Sequence, residues 1–200
     1  DRFGRTIEYL RISVTDRCNL RCLYCMPATG CAWKPQEQIL RYEEIVAIVR
    51  EAARLGVTKL RITGGEPLVR ANLAELVQRL TSIPQIDDIS LSTNATRLAK
   101  TAGALKTAGI QRINVSLDSL RADRFKAITS GKLQKVLDGL MAAKAAGFAP
   151  IKINMVVMKD VNEDEVEDMV EFCLIHDFTL RFIETMPMGN TGQQAVDHYV

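Results

Sequence analysis

The chain has 200 residues, of which 47% are hydrophobic and a quarter charged, with a formal net charge of +2. Those values fit one soluble globular domain, and no basic run is long enough to act as a nucleic-acid arm, so any anion must be bound by individually placed residues. No window approaches the roughly 18 consecutive apolar residues of a transmembrane helix, so a cytoplasmic protein with no membrane or nucleic-acid partner is expected.

Short β-rich runs alternate with longer helical patterns along the chain. Strands are predicted at 8–14, 59–63, 88–92, 112–117, 151–157 and 179–184. Helical patterns cover 42–55, 73–81, 96–108, 133–146 and 163–176, several closed by a glycine such as Gly56, Gly109 or Gly147. This alternation predicts an α/β fold with a parallel sheet of right-handed βαβ units, without saying whether the sheet closes.

Side chains alternate between the two faces of a strand, so each strand can be read by parity. One parity is apolar, for example Leu60 and Ile62, Ile89 and Leu91, and Ile151, Ile153 and Met155, and it is expected to pack under the helices. The other carries Arg11, Ser13, Lys59, Arg61, Ser90, Ser92, Asn114, Ser116, Lys152, Asn154 and Arg181. A parallel sheet buried on both faces would be apolar throughout, so this second face must border water or a bound anion. Pairing with Asp16, Asp118 or Glu184 could account for one or two of the five cations. The surplus suits a polyphosphate, whose oxygens match the arginine fork.

After the first strand comes the run Cys18-Asn19-Leu20-Arg21-Cys22-Leu23-Tyr24-Cys25. Its CxxxCxxC spacing supplies three thiolates, which on a four-iron cluster would leave one iron open to a ligand that is not protein. A structural zinc site wants four ligands, and the only histidines, His176 and His198, lie far away without paired spacing. An odd total of five cysteines and no signal-peptide pattern argue against a disulfide framework. Cys31 falls in an irregular loop and Cys173 among Val170, Phe172 and Leu174, where a cysteine is usually a small buried hydrophobe.

After the second strand stands Thr63-Gly64-Gly65-Glu66-Pro67, whose paired glycines let the backbone approach a ligand closely, or simply make a tight turn. Ser92-Thr93-Asn94 and Ser116-Leu117-Asp118 follow the third and fourth strands. They are polar groups fit either for a ligand or for an ordinary cap or turn.

The cysteine loop, with Tyr24 before its last cysteine and Met26-Pro27 after it, resembles the signature loop of the radical S-adenosylmethionine (SAM) enzymes. The run from Leu10 to Cys18, the stretch from Arg61 to Leu68, Ile113 to Asp118, and Arg181 to Glu184 with Met186-Pro187 more closely resemble the GTP 3',8-cyclase branch of that family. The likeness implies a partial (β/α)6 TIM-like barrel. It implies a [4Fe-4S] cluster held by Cys18, Cys22 and Cys25, with SAM on the fourth iron. SAM would be cleaved reductively to a 5'-deoxyadenosyl radical that takes hydrogen from C3' of GTP, and the ribosyl radical would attack C8 of guanine. The product would be (8S)-3',8-cyclo-7,8-dihydroguanosine 5'-triphosphate, in the first step of molybdenum-cofactor biosynthesis.

Carried over by position, Tyr24, Gly65, Ser116 and Met186 line the SAM site, joined by Glu66 and Asn94 from the same loops. Arg11, Arg61, Ser92 and Lys152 match GTP-contacting positions, with Lys59 and Arg181 as further phosphate partners, and no catalytic residue is implied beyond the cluster. Implied partners are a reductant, a downstream cyclic pyranopterin monophosphate synthase and a second copy in a homodimer. Ser92 stands where threonine is common, keeping the hydroxyl. Ala95 stands where glycine is usual, at a turn beside the SAM adenine that an ordinary backbone conformation could serve. The family continues into a C-terminal extension with a second three-cysteine cluster. Residues 1–190 are therefore expected to be the radical SAM core and 191–200 a polar tail that begins the extension, giving a truncated form weak or inactive in cyclisation. A radical SAM enzyme acting on a peptide would share the cysteines and GGEP but not the cations. A non-catalytic iron-sulfur or zinc protein would share only the cysteines.

Overall fold

The computed structural model describes residues 2–25 and 32–184. Among these, six strands form one parallel sheet in the order β1-β2-β3-β4-β5-β6. They are β1 (Tyr9–Ser13), β2 (Lys59–Thr63), β3 (Asp88–Thr93), β4 (Arg112–Ser116), β5 (Ile151–Val157) and β6 (Thr179–Glu184). Six α-helices link them: α1 (Tyr42–Arg54), α2 (Leu73–Thr81), α3 (Ala102–Ala108), α4 (Ala122–Thr129), α5 (Leu133–Ala145) and α6 (Val166–His176). Each strand pairs with its neighbour in sequence and, among the described residues, β1 and β6 remain as edges. The result is an α/β partial barrel, as the alternating pattern predicts.

The apolar parity makes the core. Leu60, Ile62, Leu91, Ile113, Val115 and Ile153 are fully buried and pack with Val49, Leu76, Leu80, Leu105, Val136 and Leu140 of the helices in one continuous cluster. Cys173 is buried in the same cluster, the small apolar role read for it. Gly109 ends α3 in the left-handed region at φ 117°, and its amide reaches back to Leu105 O and Lys106 O.

Two helical expectations are corrected. The helix predicted over 96–108 is α-helical only as α3, preceded by a 3-10 turn over Leu98–Lys100, because Asn94 and Thr96 are drawn into a hydrogen-bonded turn after β3. Helix α4 is missing from the sequence reading: only two turns long, it buries Phe125, Ile128 and Thr129, too few positions to declare a period. Cys31, Met186, His198 and the 191–200 tail lie outside the described residues.

Candidate functional site

The carboxyl ends of β1 to β4 and the turns that follow them meet at one edge of the sheet. A cavity of about 210 Å³ is lined there by Cys18, Cys22, Tyr24, Cys25, Gly64, Gly65, Glu66, Ser92, Thr93, Asn94, Ser116 and Asp118, among others. The three cysteines and the expected residues Tyr24, Gly65, Glu66, Ser92, Asn94 and Ser116 thus share one space. None of the described cysteines forms a disulfide. Among the described residues no three His, Cys, Asp or Glu groups converge on a point that one ion could occupy; the three thiols line the wider cavity.

Burial pushes the Cys18 thiol up, opposed by the Leu20 amide and the Asn94 side chain, which both point at its sulfur. Burial, with the Asp118 charge nearby, pushes Cys22 up to about 12. Thiols so raised stay protonated at neutral pH unless a cationic centre draws the proton off, which is what an iron centre does to its cysteine ligands. The donor set and the room around it fit an iron-sulfur cluster.

The glycine pair also has a reason within the fold, beside the ligand approach or tight turn read in the sequence. Gly65 N donates to Thr15 O at 2.8 Å and Glu66 N to Arg17 O at 2.8 Å, so this loop is strapped to the backbone leading into the cysteines. A Cβ on Gly65 would sit 2.6 Å from Asp16 O, and one on Gly64 2.5 Å from Thr15 O. The backbone that approaches closely is the chain's own. Glu66 is likewise engaged internally: its carboxylate accepts from Leu68 N at 3.0 Å, Thr93 Oγ1 at 2.7 Å and Asn94 N at 2.6 Å. Burial pushes its carboxyl up, against these three bonds.

Asp118 closes the opposite wall. Its carboxylate accepts from Tyr24 Oη at 2.8 Å and Val156 N at 2.9 Å, joining the cysteine loop to the end of β5. Burial raises it to about 6. Ala95 does not take the ordinary conformation: its φ is 58°, in the left-handed region where glycine would be unstrained.

The polar parity faces the open interior. In register, Arg11 lies beside Arg61, Arg61 beside Ser90, and Ser90 beside Arg112, a sixth cation of the same parity, beyond the five expected. One step toward the carboxyl edge, Ser92 adjoins Asn114 and Asn114 adjoins Lys152; the next step pairs Asn154 with Arg181. Lys59 pairs with Glu8 at 3.6 Å and Arg112 with Asp88. Asp16 and Asp118 take Lys34 N and the Tyr24 and Val156 groups instead of these cations. Arg11, Arg61, Lys152 and Arg181 have no carboxylate partner among the described residues, and Arg61 Nε, Asn114 Oδ1 and Asn154 Oδ1 are buried without a hydrogen bond. Such groups mark a surface shaped for something polar.

Residues 12–173 match the sequence profile of the radical SAM superfamily. The chain belongs to the radical SAM superfamily. Its members' cofactors, SAM and an iron-sulfur cluster, agree with the cysteine-lined cavity of this one. A Listeria monocytogenes serotype 4b protein named GTP 3',8-cyclase is 53% identical over 201 residues, which is all of this chain and 60% of that protein. A Petrotoga mobilis protein of the same name is 50% identical, over all of this chain and 62% of its own length. The chain therefore spans about three-fifths of these curated relatives. Among solved structures, Streptococcus suis SuiB bound to S-adenosylmethionine matches 92% of this chain and 42% of its own with TM-score 0.75 at 20% identity. The anSMEcpe enzyme with bound AdoMet gives TM-score 0.72 at 20% identity, over 92% of this radical SAM chain and 52% of its own. At those identities the two structures establish the shared barrel and no more. No helix among the described residues is long and apolar enough to cross a membrane.

Proposed function

We propose that this chain is the radical SAM core of a GTP 3',8-cyclase, acting at the first step of molybdenum-cofactor biosynthesis. The observation that carries the reading is the set of cations without carboxylate partners, Arg11, Arg61, Lys152 and Arg181, on the sheet face below the cysteine-lined cavity. A triphosphate is an anion of matching charge, whereas a peptide substrate supplies no reason for four such cations on one interior face.

In this reading Cys18, Cys22 and Cys25 hold a [4Fe-4S] cluster, and Tyr24, Gly65, Asn94 and Ser116 face SAM in the same cavity; Met186, carried over from the resemblance, lies outside the described residues. Glu66 acts as a strut under that wall, since its carboxylate is already bonded to Leu68, Thr93 and Asn94. The bound cofactors supply reductive cleavage of SAM to a 5'-deoxyadenosyl radical. The protein's own part is positional. Arg11, Arg61, Lys152 and Arg181 bind the phosphates, aided by Lys59. Ser92, which belongs to both the cavity wall and the interior-facing parity, orients the nucleoside toward the carboxyl edge. Complete cyclisation is proposed for the full-length protein, the product passing on to a cyclic pyranopterin monophosphate synthase.

The test is anaerobic reconstitution with iron and sulfide, then reduction with dithionite and SAM, following 5'-deoxyadenosine with and without GTP. About four irons per chain are expected, with SAM cleavage that responds to GTP. Calorimetric binding of GTP should weaken about tenfold or more in Arg61→Ala and in Lys152→Ala, the loss of one charged hydrogen bond each. SAM cleavage that is indifferent to GTP, together with no GTP binding, would overturn the cyclase reading and leave the peptide-acting alternative.

A further inference from the structure

Asn19 follows the first cysteine directly, and Asn94 and Thr96 flank Ala95 at the end of β3. The fold closes these three side chains into a ring. Asn94 Nδ2 donates to Asn19 Oδ1 at 3.0 Å, Asn19 Nδ2 to Thr96 Oγ1 at 2.8 Å, and Thr96 Oγ1 to Asn94 Oδ1 at 2.7 Å. One backbone group fixes every proton in it. Thr96 N can only donate, and it lies 3.1 Å from the atom assigned as Asn94 Oδ1, so that atom is the oxygen and the other end of the amide is the NH2. With Asn94 oriented, its partner Asn19 must present oxygen to it and nitrogen to Thr96.

The ring uses one of the two Asn94 amide protons. The other is aimed at Cys18 Sγ, 3.8 Å away, beside the Leu20 amide at 3.4 Å. Asn94 is buried, its own backbone N–H is held by Glu66 at 2.6 Å, and the next residue is locked in the left-handed turn. This donor is built in rather than passing by.

We propose that Asn94 is a positioning residue for the redox centre, donating an N–H···S hydrogen bond to Cys18 that raises the reduction potential of the cluster. This rests on the reading of Cys18 as a cluster ligand. A reduced cluster carries one more negative charge over its sulfurs, so a donor to a ligand sulfur stabilises the reduced form more than the oxidised one. Asn19 and Thr96 act one step further out, by holding the amide in that orientation.

The test is an EPR-monitored redox titration of the anaerobically reconstituted protein, with iron content and circular dichroism measured alongside. In Asn94→Asp, equal in shape but lacking the donor and adding a negative charge that acts in the same direction, the cluster should form and its reduction equilibrium should shift toward the oxidised form about tenfold or more, about 59 mV lower for a one-electron couple; a lowered potential in the uncharged Asn94→Ala as well assigns the shift to the lost donor. Asn19→Ala, which keeps the donor but frees its orientation, should shift it less and in the same direction. In Asn94→Ala the electron-nuclear double resonance spectrum of the reduced cluster should lose an exchangeable-proton coupling present in the wild type. A full cluster at unchanged potential in Asn94→Asp overturns the proposal. So does loss of the cluster in both Asn94 variants with the fold retained, which would make the residue a support for the loop's shape alone. A wild-type protein that takes up no iron overturns the ligand reading instead.

Discussion

The two buried carboxylates of the site look alike in sequence and should respond in opposite ways to the same chemical change. Glu66 accepts from two backbone amides and a hydroxyl, with Oε1 taking Leu68 N and Thr93 Oγ1 and Oε2 taking Asn94 N. In Glu66→Gln one side-chain atom becomes an NH2 facing a backbone N–H, and an amide proton cannot be turned round. The expected cost is about 2 kcal/mol from one buried donor left unmet, read as a lowered chemical-denaturation midpoint, with poorer iron uptake because the Asn94 turn loosens. Asp118 accepts from one amide and from the Tyr24 hydroxyl. In Asp118→Asn the oxygen can keep Val156 N while the phenol rotates to accept from the new NH2. Wild-type stability in Glu66→Gln would show that the carboxylate is not the strut described.

At the scale of elements, α5 meets the turn after β3 more closely than helix packing alone requires. A Cβ on Gly139 would fall inside contact distance of the Ala95 carbonyl oxygen and 3.2 Å from both Ala95 Cβ and Leu98 Cβ. Helix propensity favours Gly139→Ala by about 1 kcal/mol, whereas pushing α5 off a backbone carbonyl costs about 1–3 kcal/mol. The contact should win. The variant is expected to melt lower than wild type, and a higher melting temperature would show that the turn yields freely. This contact also shows what the sequence could and could not disclose. The strands were legible because a period of two survives in runs such as Lys59 to Thr63, and the cysteine and GGEP loops because their spacing is local. Pairs brought together only by the fold left no such trace, as with Asn19 and Asn94, 75 positions apart, or Tyr24 and Asp118. The crowding at Gly65 is hidden in the same way, because the backbone a Cβ there would meet, from Asp16 to Arg17, lies in the loop after β1. Arg112 was within reach, sharing parity with Asn114 and Ser116.

Across the whole molecule, the shifted carboxylates divide by location: Asp118 and Glu66, under the carboxyl edge of the sheet, are raised by burial, and Glu43, Glu44 and Asp164, on the exposed surface, are lowered by partners. This division sets the pH dependence of the metal-free chain. Asp118 rises from an ordinary 3.8 to about 6, so the folded state holds its proton more tightly than the unfolded one. Its contribution is fully present below about pH 4 and is lost as pH climbs through about 6, a change of about 3 kcal/mol. Glu66 is shifted in the same direction by the same cause. Glu43, Glu44 and Asp164 are lowered, by backbone hydrogen bonding for the two glutamates and by the Arg124 hydrogen bond for Asp164. Their stabilisation is present at neutral pH and fades as pH falls below the ordinary carboxylate range. The two groups together place the stability maximum on the acid side, with a decline between about pH 5 and pH 7 that flattens above it, opposite to the behaviour of a protein whose carboxylates are all salt-bridged. Thermal melts of the metal-free chain across that interval test the curve. Asp118→Asn assigns it, because a neutral side chain with both bonds intact should remove most of the decline and melt above wild type at pH 7.5. If that variant keeps the wild-type slope, the buried carboxyl titrates in its ordinary range and the charge at the Tyr24 hydroxyl is already present at pH 5.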